Sequence, residues 1–172
     1  MSSEFLALSL FFHLTATTIW IGGLLITMFL VWPAMRRVLE GSPAIIQLLS
    51  RLRRRFYPIS NLALMTLIVT GLFQMTASQY YDGFMTFDNT WSKIMLVKHI
   101  VIVLMAVAGL LLQYGVAPAL ERTSLQLQHS TSTDEKLSYE WEVLYQRERW
   151  LTWINGLLGL LVLAFSAWLG AL

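Results

Sequence analysis

The chain has no cysteine. That excludes disulfides, iron–sulfur clusters, thiolate metal sites and a cysteine nucleophile. Charge is scarce as well. Asp, Glu, Lys and Arg make up 13% of the residues, against about a quarter in a soluble domain. There is no Gly-rich phosphate loop, no Walker lysine and no His-Glu-x-x-His. No carboxylate falls inside the four apolar runs to relay protons, and no Ser-His-Asp set can gather at a membrane centre. These gaps argue against hydrolase, kinase and proton-pump chemistry, and no nucleic-acid partner is expected. A basic n-region is missing ahead of the first apolar run, where Glu4 stands, and the run is too long for a signal peptide. It is expected to be a retained span. No low-complexity tract and no convincing internal repeat is found.

What is present is apolar: 56% of 172 residues are hydrophobic. About 20 apolar residues cross a bilayer as a helix. Four runs meet that length, at about 5–32, 56–75, 94–116 and 150–169. The expected fold is a single all-α domain over 1–172, a four-transmembrane-helix bundle. Pro33 and Pro118 are expected to end the first and third spans. Ser42-Pro43 reads as a helix start, and Pro58 as a kink at the next junction. Ser132-Thr133-Asp134-Glu135 fits a capping box, after a loop at Gln126–Thr133.

Ten of the twelve Lys and Arg residues lie in the connections 33–55 and 117–149. The positive-inside rule makes both connections cytoplasmic and puts both termini on the extracytoplasmic side. Trp150, Trp153 and Trp168 mark membrane surfaces, and Tyr80, Tyr81, Phe84, Phe87 and Trp91 form an interfacial belt. A bacterial inner membrane is the expected location. The cluster Arg51–Arg55 can bind anionic lipid, but orienting the protein is the simpler account of it.

An ionisable residue inside a span marks a functional site by default. His13 lies in the first span, and His13, Thr17, Trp20 and Leu24 share one helical face. Lys98 and His99 lie in the third. Counted at 1.5 Å per residue, His13 is about 12 Å below the outer surface and His99 about 8–9 Å. Two imidazoles at matched depth on different helices suit a b-type haem, with His13 and His99 ligating iron and Lys98 near a propionate. Lys98 and His99 point about 100° apart, so only one of them faces His13 squarely. The rival is copper, because Met75, Met85 and Met95 gather at the same end as His13 and His99. The blander account is hydrogen bonding between helices, which Thr66, Thr70 and Gln74, spaced by four, would also serve.

Several motifs together resemble a known family. They are His13 followed by TIWIGG, RRRFYP before the second span, Gly71, the run from Trp91 to Lys98, and RWLTWING around Asn155. In this order they resemble the copper-resistance D (CopD)-like membrane family and are similar to the HemJ-type protoporphyrinogen oxidases. The resemblance covers roughly Phe12–Leu169. It implies a four-helix membrane bundle, haem b or porphyrin binding, a functional His13 and Lys98, and a basic residue at Arg54 or Arg55. It also implies copper movement for the larger CopD proteins, of which this chain holds the four-helix core. After Gly23 the run LLITMFLVWPAM departs from the HemJ pattern.

The expectation is therefore a haem-b-binding membrane electron-transfer protein of oxidoreductase type, exchanging electrons with quinone or a periplasmic donor. The alternatives are copper handling, porphyrin oxidation, and a structural subunit of a larger complex. A homodimer packed through Gly156 and Gly159 is also expected to be open to the chain.

Overall fold

The computed structural model describes residues 3–39, 44–81, 83, 89–129 and 134–171. Among them there is helix and no strand. Helix α1 (Ser3–Ile26) passes through a π turn (Thr27–Val31) into α2 (Trp32–Leu39). Helix α3 (Ala44–Thr76) returns. Helix α4 (Thr90–Leu110) passes through a second π turn (Leu111–Val116) into α5 (Ala117–His129), and α6 (Glu135–Gly170) returns again. Four of these continuous helices are long and apolar enough to cross a membrane. Their outward surfaces carry exposed Phe11, Leu14, Leu62, Met65, Val103, Leu104, Leu157 and Leu161. An apolar surface that extensive is stable only against lipid. The protein is an all-α integral membrane protein.

The two prolines do not end their helices, contrary to expectation. Proline lacks an N–H, and its ring presses on the carbonyl four residues back. In a π turn the hydrogen bond reaches five residues back instead. Trp32 N–H donates to the Thr27 carbonyl just before Pro33, and Ala117 N–H donates to the Leu112 carbonyl just before Pro118. The widened turn lets each helix run on through its proline. Pro58 likewise lies inside α3. Ser42-Pro43 and Ser132-Thr133 lie outside the described residues. The start of α6 is capped by Asp134, whose carboxylate accepts from the N–H groups of Lys136 and Leu137. The expected loop at Gln126–Thr133 is helical as far as His129. Asn89 caps α4, its side-chain oxygen accepting from Ser92 N–H at 2.7 Å.

The matched π turns expose a repeat that was not convincing in the sequence. Val31-Trp32-Pro33-Ala34 and Val116-Ala117-Pro118-Ala119 follow the two turns in the same register. His13 and Lys98 stand equally far ahead of their prolines. On the returning helices, Arg53-x-Arg55-Phe56 precedes Asn61 as Arg147-x-Arg149-Trp150 precedes Asn155. The chain is thus two hairpins of the same direction, the arrangement of parallel repeats about an axis along the membrane normal.

Each hairpin packs on itself, α1 on α3 and α4 on α6, and α1 then packs on α6. Helix α3 meets α5 but does not pack along α4. A central core joins all four spans through Ala16, Trp20, Ile21, Ala63, Val101, Met105 and Val162. A second cluster, Trp32, Leu49 and Leu120, sits under Trp141 and Tyr145. Small residues permit the close crossings. A side chain at Gly23 would run into the Phe56 ring, and one at Gly156 into Met28 Sδ. A Cβ at Gly159 would lie 3.3 Å from both Ile21 and Met105. Gly156 and Gly159, expected to line a dimer face, are buried inside the bundle instead.

Candidate functional site

The topology gathers the termini of the bundle at two ends. One end carries His13 and is called the histidine end. The other carries α2, α5 and the start of α3 and is called the arginine end.

At the histidine end, Thr70 of α3 faces His13 of α1, with Nδ1 and Oγ1 2.8 Å apart. The Thr70 hydroxyl donates its one hydrogen to the Thr66 carbonyl at 2.6 Å. It can then only accept from the imidazole, so Nδ1 carries the ring proton. That leaves Nε2 with a free lone pair, the form that ligates metals. Gly71, beside Thr70, makes room for the ring; a Cβ there would lie 3.6 Å from His13 Cε1. One turn before His13, Ser9 is buried. Its carbonyl accepts from Gln74 Nε2 at 3.5 Å, and its hydroxyl has no partner among the described residues. Of Thr66, Thr70 and Gln74, the last two therefore bond to α1, while the Thr66 hydroxyl bonds the Leu62 carbonyl of its own helix.

Lys98 of α4 is half-buried, and its charge reaches the His13 imidazole. His99 is exposed, and its Nδ1 bonds the Met95 carbonyl at 2.7 Å. Of the adjacent pair, Lys98 acts on His13 through its charge, while His99 bonds within its own helix. Trp20, on the His13 face, is a core residue, 7% exposed. Met75 and Met95 are half-buried at this end, and Met85 lies outside the described residues. Among the described residues no three His, Asp or Glu side chains are grouped to hold a metal ion.

Arg54 is not part of this site. It lies at the arginine end, bonded to Glu121 Oε1 at 3.0 Å. The sixteen helical steps of α3 from Arg54 to Thr70 separate them by about 24 Å. Arg55 is exposed at the same end.

The arginine end holds what the sequence reading missed. Arg53 Nη2 approaches Glu148 Oε1 to 2.5 Å, and Glu148 is 2% exposed. The approach has the distance of an ion pair without the alignment of a hydrogen bond. Tyr57, one turn along α3 from Arg53, lies within the field of both charges. Glu148 Oε2, the Tyr57 hydroxyl and Asn155 Oδ1 have no hydrogen-bond partner among the described residues. The signal was present: Glu148, Thr152, Asn155, Gly156 and Gly159 follow helical spacing and are all buried. Starting the fourth span at Trp150 left Glu148 outside it. A buried carboxylate does stand in the bundle, contrary to expectation.

Residues 15–129 match the model of a family described as "Domain of unknown function (DUF4149)". The matched stretch runs from α1 through α5. It includes Thr70, Lys98 and Arg53, and it stops short of His13 and α6. No curated protein and no solved structure matches the chain.

Proposed function

We propose that this chain, which belongs to the DUF4149 family, binds haem b at the histidine end and works as a membrane electron-transfer protein. One observation carries the reading: His13 Nδ1 is held by a Thr70 hydroxyl that itself bonds the Thr66 carbonyl, which turns Nε2 to the ligating form, within reach of the Lys98 charge. The donor set fits a porphyrin with one imidazole ligand. Nε2 suits the iron, and the ammonium suits a propionate. Helix α3 holds the ring through Thr70, and α3 and α4 do not pack along one another. The resemblance to the HemJ-type oxidases, with its functional His and Lys, supports the same pairing. Ligation by both His13 and His99 has less support, because His99 is exposed and engaged with Met95.

When bound, haem b supplies one-electron exchange at iron. The chain's own residues do the rest. Thr70 fixes the tautomer and orientation of His13, as partners of metal-binding histidines do. Lys98 offsets carboxylate charge and raises the reduction potential, because a fixed cation favours the more negative, reduced state. Trp20, Met105 and Val101 close the bundle beneath the site and keep water from it. By the positive-inside rule the histidine end faces out of a bacterial inner membrane. A lipid-soluble quinone or a soluble donor on that side is the electron partner this placement admits.

The test is the absorption spectrum of detergent-purified protein from haem-supplied cells, oxidised and then dithionite-reduced. A Soret band and a reduced α band that vanish in His13→Ala and persist in His99→Ala support the reading. A featureless spectrum overturns it. Bound copper lost with His13, Met75 or Met95 would then favour copper handling. Neither pigment nor metal, with a copurifying partner, would favour a structural subunit.

A further inference from the structure

The arginine cluster at the start of α3 is divided by the fold. Arg53 turns inward to Glu148, and Arg54 turns to Glu121, which also accepts from Ser50. Arg51 and Arg55 turn the other way. They are exposed, and among the described residues no carboxylate pairs with either. Their neighbours along the same helical stripe are Leu48, Leu52, Ile59 and Leu62, 43–69% exposed. That stripe continues into the lipid-facing surface of the span. Two cations thus stand one turn apart on an exposed face of α3 whose other residues are apolar.

Here the surface beside them is apolar, so what covers it must be apolar below and anionic above. A phospholipid meets both demands at once, and a soluble anion meets only the second. Residues at i and i+4 have Cβ atoms about 5–6 Å apart, close enough for both guanidinium groups to reach one phosphodiester, each through paired N–H donors. A net negative headgroup gains from both charges, whereas a zwitterionic one brings its own cation. We propose that Arg51 and Arg55 form a binding site for the headgroup of one anionic phospholipid, its chains lying along Leu52, Ile59 and Leu62. The site is independent of the haem reading and stands at the opposite end of the bundle.

The experiment uses the full chain in detergent, titrated with phosphatidylglycerol or phosphatidylcholine of equal chain length, with bound lipids counted by native mass spectrometry. Wild type is expected to keep phosphatidylglycerol in preference to phosphatidylcholine. The double variant Arg51→Gln/Arg55→Gln is expected to lose about thirtyfold in affinity for it, at about fivefold per arginine. Arg122→Gln/Arg147→Gln removes two exposed arginines at the same end and should leave binding unchanged. Arg51→Lys/Arg55→Lys keeps the charge and the fold and should bind at an intermediate level. Equal binding of the two lipids, equal loss in the control pair, or no loss in the Arg51/Arg55 pair overturns the proposal. Displacement of phosphatidylglycerol by millimolar inorganic phosphate overturns it too, because the site would then be a soluble-anion site.

Discussion

The two ends of the bundle hold polar groups by different means. At the histidine end the contacts stay within the first hairpin. His13 meets Thr70, and Ser9 meets Gln74, all between α1 and α3. Lys98 comes from the second hairpin and acts on His13 through its charge. At the arginine end the contacts join the hairpins. Arg53 pairs with Glu148 of α6, and Arg54 with Glu121 of α5. The bundle is therefore clamped at one end and neutral-bonded at the other, with an apolar layer around Trp20 and Met105 between. A repeated architecture has been used asymmetrically. Ion pairs lock the assembly where the polypeptide meets charge, and a single oriented imidazole stays available where α3 and α4 part.

The largest test of this contrast is Glu148→Ala. Removing one partner of a buried pair leaves an unpaired guanidinium and is expected to destabilise by about 3–5 kcal/mol. The pair Arg53→Met/Glu148→Leu, similar in volume and uncharged, should recover most of that loss. Thermal unfolding in detergent measures both. If Glu148→Ala melts with wild type, the clamp does not hold the hairpins together.

Gly23→Leu comes next. It forces side-chain atoms into Phe56, where α1 and α3 cross. Overpacking of this kind costs about 1–3 kcal/mol. The change lies inside one hairpin, against the ring that follows Arg55. It should lower the melting temperature while leaving lipid retention at Arg51 and Arg55 intact. Loss of lipid together with stability would mean that the arginine end depends on the crossing.

These sites differ in how legible they were. The four spans follow from apolar length alone, and His13 stands out because nothing near it in the run is ionisable. Matched depth placed a third-span cation opposite it. It did not decide between Lys98 and His99, because adjacent residues differ by an angle and the rotation of α4 depends on packing. The arginine end was obscured by a boundary. Glu148 sits two residues before Trp150, and a hydropathy window ends there, although the buried stripe runs on through Thr152 to Gly159. Pro33 and Pro118 read as helix ends because a π turn has no sequence rule of its own. The repeat was hidden for a related reason: packing constrains only a few positions, and the lipid-facing ones drift freely between the hairpins.

A smaller effect is expected from Thr70→Val. The change keeps the shape and removes the acceptor of the His13 N–H. Leaving that donor unmet costs about 1–3 kcal/mol. Under the haem reading the ring is then free to turn, so the variant should bind less pigment and show a broadened Soret band. Thr70→Ser keeps the acceptor and should restore the wild-type spectrum. Equal spectra from Val and Ser would mean that the hydroxyl does not orient the ring.

The smallest effect separates two neighbours. His99→Ala removes an exposed side chain whose one bond is to the Met95 carbonyl four residues back in its own helix. Exposed substitutions of this kind stay within about 0.5 kcal/mol. Lys98→Ala, one residue away, removes the charge that reaches His13 and should shift the reduction potential downward. The pair sharpens the contrast on a single helical turn. If His99→Ala abolishes the Soret band while Lys98→Ala leaves spectrum and potential unchanged, α4 is rotated by about 100° in the working protein and the bis-histidine ligation returns. The opposite outcome makes the histidine end a one-imidazole site whose second hairpin supplies charge rather than a ligand.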